Sequence, residues 1–182
     1  MKNNTKKEKK VAPNIILTGM RGCGKSTLGE IIAANLGREF IDLDRYIERS
    51  VNKKIDQIVE SHGWTHFRNL EEQAVSDIAQ KNNLVISTGG GTLTNPKSAK
   101  LLKKNGFIIL LTADIETLKK RIEFSKTRPP LTCHKSLKKE LEQIWKERKS
   151  TYLKYADFVY DNSSDKDPEE KAEEIIEVIP AF

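Results

Sequence analysis

Two rhythms of apolar residues alternate along the chain. The first is a set of short, branched runs: Ile15-Ile16-Leu17-Thr18, Phe40-Ile41-Asp42-Leu43, Leu84-Val85-Ile86-Ser87, Phe107-Ile108-Ile109-Leu110-Leu111 and Phe158-Val159-Tyr160. Each is bounded by turn residues or charge and reads as a buried strand. The second rhythm is helical. Leu28, Ile31, Ile32 and Leu36 fall on one face of a helix over 27–36. The chain further predicts helices near 44–50, 55–61, 64–80, 96–104, 114–123, 136–154 and 168–178. Asp114 followed by Thr117, and Asp167-Pro168-Glu169-Glu170, have the composition of helix starts. Five strands alternating with helices predict an α/β fold, a parallel sheet covered on both faces. Right-handed crossovers then bring the C-terminal end of every strand to one edge, where ligands bind. The residues just after each strand are therefore the candidates for chemistry.

After the first strand comes Gly19-Met20-Arg21-Gly22-Cys23-Gly24-Lys25-Ser26, with the spacing G-x-x-x-x-G-K-[ST] of a phosphate-binding P-loop. It lies between a strand and a helix, the context that motif needs. Its glycines let the backbone curl so that successive N–H groups converge on an anion at a helix N-terminus. Lys25 is placed to bridge β- and γ-phosphates, and the Ser26 hydroxyl to ligate Mg²⁺. The expected ligand is a nucleoside triphosphate, with Gly22, Cys23, Gly24 and Thr27 completing the cradle.

Asp42 and Asp44 end the second strand. One could hold Mg²⁺ or accept a hydroxyl proton, and the other could bond a substrate hydroxyl; spacing leaves open whether Asp44 instead caps the helix that follows. Ser87-Thr88-Gly89-Gly90-Gly91-Thr92, after the third strand, allows a ligand close to the backbone, or is a plain flexible turn. Arg68 stands three residues before Glu71, a pairing that would occupy it, and Arg148 lies in the charged run Lys146-Glu147-Arg148-Lys149, which alone reads as surface. Arg128 belongs to a polar stretch poor in core residues, about 124–136, with the character of a mobile lid beside a phosphate site. His62, His66 and His134 have no metal-ligand spacing with the cysteines, Trp64 and Trp145 read as packing residues, and Cys23 is a candidate reactive thiol.

Composition narrows the class. Of 182 residues, 32% are charged and 37% hydrophobic, and no apolar run approaches the roughly 20 residues that span a bilayer. We expect one domain over residues 1–182, with a flexible basic tail at 1–12 and a substrate-binding segment near 44–75. The net charge of +6 is concentrated in that tail, where five lysines and one glutamate contribute +4. The rest carries no nucleic-acid module. Two cysteines, Cys23 and Cys133, suggest no disulfide framework. The expectations are a cytoplasmic monomer without nucleic-acid or membrane partners.

Taken together, the P-loop, Phe40-Ile41-Asp42-Leu43-Asp44, Gly63-Trp64-Thr65-His66-Phe67-Arg68-Asn69-Leu70-Glu71, Ser87-Thr88-Gly89-Gly90-Gly91 and Arg128-Pro129-Pro130-Leu131 resemble shikimate kinases in order and spacing. The resemblance covers about residues 13–178. It implies a P-loop kinase fold with strand order 2-3-1-4-5, similar to nucleoside monophosphate kinases. It also implies Mg²⁺-dependent transfer of the ATP γ-phosphoryl to the 3-hydroxyl of shikimate. By the same resemblance, Lys25, Asp42 and Arg128 are catalytic, with Ser26 and Asp42 on the metal. Asp44, Arg68, Arg148 and the backbone of Gly89, Gly90 and Gly91 hold the acid, and Arg121 packs on adenine near Asp161-Asn162-Ser163. The chain departs from the family pattern at Trp64, at Pro130 and in a slightly longer adenine loop. Another small-molecule kinase, or a silent ATP-binding homologue, is the alternative. A silent homologue would be expected to lack Lys25, Asp42 or Arg128, and all three are present.

Overall fold

The structure, a computed structural model, describes residues 13–124 and 136–180. Five strands form one parallel sheet: β1 (Asn14–Thr18), β2 (Glu39–Asp42), β3 (Leu84–Ser87), β4 (Gly106–Thr112) and β5 (Phe158–Asp161). They lie in the order β2-β3-β1-β4-β5, as the resemblance implies. All pairs are parallel, and their register aligns Leu17 with Ser87, Asp42 with Ser87 and Thr112 with Asp161. The strand ends therefore meet along one edge.

Seven α-helices cover the sheet: α1 (Lys25–Leu36), α2 (Leu43–Val51), α3 (Ile55–Ala79), α4 (Pro96–Lys104), α5 (Ile115–Phe124), α6 (Leu137–Tyr155) and α7 (Pro168–Glu177). Because strand side chains alternate between faces, Ile15 and Leu17 enter one hydrophobic cluster, with Leu28, Ile32 and Ile175. Ile16 enters the other, with Ile41, Ile47 and Val75. That double burial is why β1 is apolar at consecutive positions.

The predicted elements are all present, with two differences. The second strand stops at Asp42 rather than Leu43, because the Asp42 side chain caps α2, accepting from the Arg45 N–H at 3.1 Å. The helices expected at 55–61 and 64–80 are both present as the two arms of α3, separated by a break at Gly63, where φ is 79° and ψ 170°. A 3₁₀ turn at Thr92–Thr94, absent from the sequence reading, follows the glycine run. The expected starts of α5 and α7 hold: Asp114 Oδ1 accepts from Thr117 N–H at 2.8 Å, and Asp167 from Glu169 N–H at 2.8 Å. No helix among the described residues is long and apolar enough to cross a membrane.

Candidate active site

The loop from Gly19 to Gly24 joins β1 to α1. Gly24 stands at the helix N-cap with φ 97°, a left-handed conformation, and a Cβ there would lie 2.5 Å from Asn162 Nδ2. Only glycine meets both demands. The first turn of α1 carries no acidic residue, so its N–H groups and the positive end of the helix dipole are kept for an anion. Lys25 folds back over the loop, its ammonium donating to the carbonyls of Gly19 at 3.0 Å and Met20 at 2.9 Å. Cys23 Sγ lies 3.6 Å from the same ammonium. The Cys23 side chain is fully buried, while its carbonyl accepts from Asn162 Nδ2 at 2.9 Å. This corrects the reading of Cys23 as a reactive thiol: the residue offers backbone to the site and its sulfur to the core.

Next to the loop, the ends of β2 and β3 bring Asp42 and Ser87 to Ser26 on the first turn of α1. Ser26 Oγ donates to Asp42 Oδ2 at 2.6 Å and lies 3.5 Å from Ser87 Oγ. Asp42 thus uses both carboxylate oxygens, one on Ser26 and one on the Arg45 N–H, which fixes its orientation. The cap of α2 is Asp42, so the capping alternative for Asp44 fails. Asp44 sits buried in the first turn, where the helix dipole favours its charge. A methyl group added at Gly89 would lie 3.1 Å from Asp44 Oδ1 and 2.7 Å from Glu71 Oε1.

Beyond Asp44 the cleft continues into a second pocket, lined by Arg68, Arg148, Trp64, Phe67 and the glycine run. Arg68 Nη1 donates to Glu71 Oε2 at 2.5 Å, and its guanidinium lies 5.6 Å from the Trp64 ring centroid and 5.3 Å from that of Phe67. Both the Glu71 pairing and the pocket-lining role therefore belong to Arg68. Glu71 is itself buried and takes a further bond from Thr92 Oγ1 at 2.6 Å. Arg148, from the charged run on α6, turns inward and donates to the Gly90 carbonyl at 2.9 Å. The Tyr152 hydroxyl donates to the same carbonyl. Burial pushes the Tyr152 phenol up to about 12, an effect tempered by the Arg148 charge, so it remains a donor at any physiological pH.

The profile of the shikimate kinase family matches residues 21–180. The chain belongs to the shikimate kinase family. The family's enzyme from Caldanaerobacter subterraneus subsp. tengcongensis is 41% identical over 163 residues, 90% of this chain and 94% of that one. The one from Pelotomaculum thermopropionicum is 43% identical over 139 residues, covering 76% and 80%. Among solved structures, shikimate kinase from Acinetobacter baumannii in complex with shikimate superposes with a TM-score of 0.85 at 31% identity over 92% of each chain. As a member of the shikimate kinase family, the chain is an ATP-dependent phosphotransferase.

Within this shikimate kinase fold, the far end of the phosphate cleft is lined by Arg121, Asn162, Pro168 and Lys171, with Gly22 and Thr27 nearer the loop. Arg121 Nη2 donates to the Asn162 carbonyl at 3.0 Å. The lid stretch, with Arg128, Pro130, Cys133 and His134, and the basic tail lie outside the described residues. Three residues escaped the sequence reading as site residues. Glu71 registered only as the partner of Arg68, and Tyr152 not at all, although it follows Arg148 by four positions on the same helical face. Lys171 is three residues from Pro168 and four from Ile175, which places it on the inward face of α7. That spacing was the available signal.

Proposed function

We propose that the chain transfers the γ-phosphoryl of ATP to the 3-hydroxyl of shikimate, giving shikimate 3-phosphate and ADP. The carrying observation is the juxtaposition of two chemically different pockets across Asp42, Asp44 and Gly90. One is a P-loop with Ser26 and Asp42. The other is flanked by Arg68 and Arg148. Two guanidiniums suit a carboxylate, which they can grip with charge-assisted, directional bonds, and the buried Asp44 suits the hydroxyls of a polyol ring. A neutral sugar would offer no carboxylate to the donors that Arg68 and Arg148 have left beyond Glu71 and the Gly90 carbonyl, a loss of several kcal/mol.

In this reading Lys25 and the amides of Gly22 to Thr27 hold the β- and γ-phosphates and neutralise charge as the phosphoryl moves. Arg128, by its family resemblance, serves the same group from the lid. Asp42 orients the acceptor hydroxyl and takes its proton as the new O–P bond forms and the bond to the ADP oxygen breaks. Positioning does most of this work, since phosphoryl transfer asks little covalent chemistry of the protein. The oxygen donors Ser26 and Asp42, 2.6 Å apart beside the phosphate loop, fit Mg²⁺, a hard cation that keeps waters and takes its remaining ligands from phosphates. When bound there, the cation supplies charge neutralisation and fixes phosphate geometry.

Steady-state kinetics separate these roles. Asp42→Asn should lower kcat by roughly 10²–10⁴-fold. Arg148→Ala should raise KM for shikimate by about 10²-fold with a smaller change in kcat, the loss expected for one charge-assisted bond. Near-normal turnover in Asp42→Asn would remove Asp42 from the proton-accepting role.

A further inference from the structure

At the far end of the nucleotide cleft two cations, Lys171 and Arg121, lie together without a carboxylate in ion-pair contact among the described residues. Lys171, on the first turns of α7, is only 4% exposed, and its ammonium donates to the Ser164 carbonyl at 2.6 Å. An ammonium carries three N–H donors, and this bond accounts for one of them. Arg121, beside it, uses Nη2 on the Asn162 carbonyl, while its Nη1 is buried without a partner, as is Asn162 Oδ1. Among the described residues, neither cation has a carboxylate within 4.0 Å. Lys171 is held below the ordinary lysine range, first by burial and then by the Arg121 charge, with Asp165 and Glu174 only partly opposing this.

A buried lysine with spare donors, beside a half-buried arginine, is costly unless something negative joins it. Both residues line the cleft that also contains Thr27 and Gly24 at the start of α1. The anion that enters this cleft is the nucleotide. We propose that Lys171 is a nucleotide-binding residue, donating to the inner phosphates of ATP and ADP from α7, opposite the amides of α1. This rests on the reading of the cleft as the ATP site. It makes the phosphate cradle two-sided: loop and helix amides below, and a lysine from the last helix above. Pro168 and the Ser164 carbonyl bond would keep that lysine in place, so that part of the electrostatic cost is relieved only when phosphate arrives.

Calorimetric titration of the full chain with ADP and, separately, with adenosine tests this without requiring turnover. The chain, its Lys171→Met variant, which keeps the apolar stem, and its Lys171→Arg variant, which keeps the charge, are compared. Lys171→Met should weaken ADP about tenfold, the scale of one charge-assisted bond, leave adenosine unchanged, and leave shikimate binding intact. Lys171→Arg should recover most of the ADP affinity. Unchanged ADP affinity in Lys171→Met would overturn the proposal, as would an equal loss for ADP and adenosine, which would mark Lys171 as a prop for the 162–167 loop. Failure of the unaltered chain to bind ADP would instead overturn the reading of the cleft itself.

Discussion

Asp42 illustrates how one residue can carry local structure and chemistry together. It ends a strand, caps a helix through one oxygen and holds Ser26 through the other. Its usefulness to a reacting hydroxyl comes from being fixed at both ends. Gly91 works by what it lacks. Its φ of −106° suits any residue, yet a Cβ there would lie 2.6 to 2.8 Å from the Arg68 guanidinium. Gly91→Ala is therefore predicted to displace the arginine rather than the backbone. Thermal melting should change by no more than a few degrees, while KM for shikimate rises about tenfold; an unchanged KM would mean that Arg68 does not hold the acid. A glycine-to-arginine contact of this kind is not legible in the sequence. Gly89, Gly90 and Gly91 were legible as a place for close approach, but not that the approaching groups would be Arg68, Asp44 and Glu71. Those contacts depend on α3 packing, through Phe67, Ala74 and Val75, into the cluster that holds Leu84 and Ile86 of β3. Which aspartate caps α2 stayed open in the sequence for a related reason, since spacing cannot tell which of two neighbouring aspartates turns back toward the helix.

At the scale of elements, the break in α3 decides where three residues lining the second pocket stand. Trp64, Phe67 and Arg68 all follow Gly63 directly, so the angle at Gly63 aims them. Its φ of 79° with ψ of 170° belongs to a region essentially restricted to glycine, and no atom lies within 4 Å of where a Cβ would sit. Gly63→Ala should therefore cost about 1–3 kcal/mol through backbone strain alone. In a chain of this size that appears as a melting point several degrees lower. A melting point that is unchanged or raised would show that the helix can straighten through this position at no cost. The central strands β1, β3 and β4 were legible almost to the residue because parallel, doubly covered strands must be apolar at consecutive positions. The break could be read from sequence only as a gap between two helical patterns, because a glycine within a helical stretch fits either a continuous helix or a break.

Over the whole molecule, parallel pairing aligns the ends of β1, β2 and β3, so that a phosphate loop, a pair of aspartates and a glycine run share one edge. Residues from α3 and α6, far apart in the chain, close that edge from the other side: Arg68 through Glu71, and Arg148 through the Gly90 carbonyl. This convergence gives meaning to an arginine in a charged run, which local sequence alone reads as surface. Family motifs spaced along most of the chain made it legible. Lys171 lay outside those motifs and emerged only from the packing of α7. The central claim is that the two pockets act as one phosphoryl-transfer site for a hydroxylated acid. The most direct test is a coupled assay of ADP release from Mg-ATP in the presence of shikimate, quinate, gluconate or nucleoside monophosphates. The account predicts ADP release that depends strongly on shikimate and weakly on the others. No dependence on shikimate, in protein that is folded and binds ATP, would contradict it.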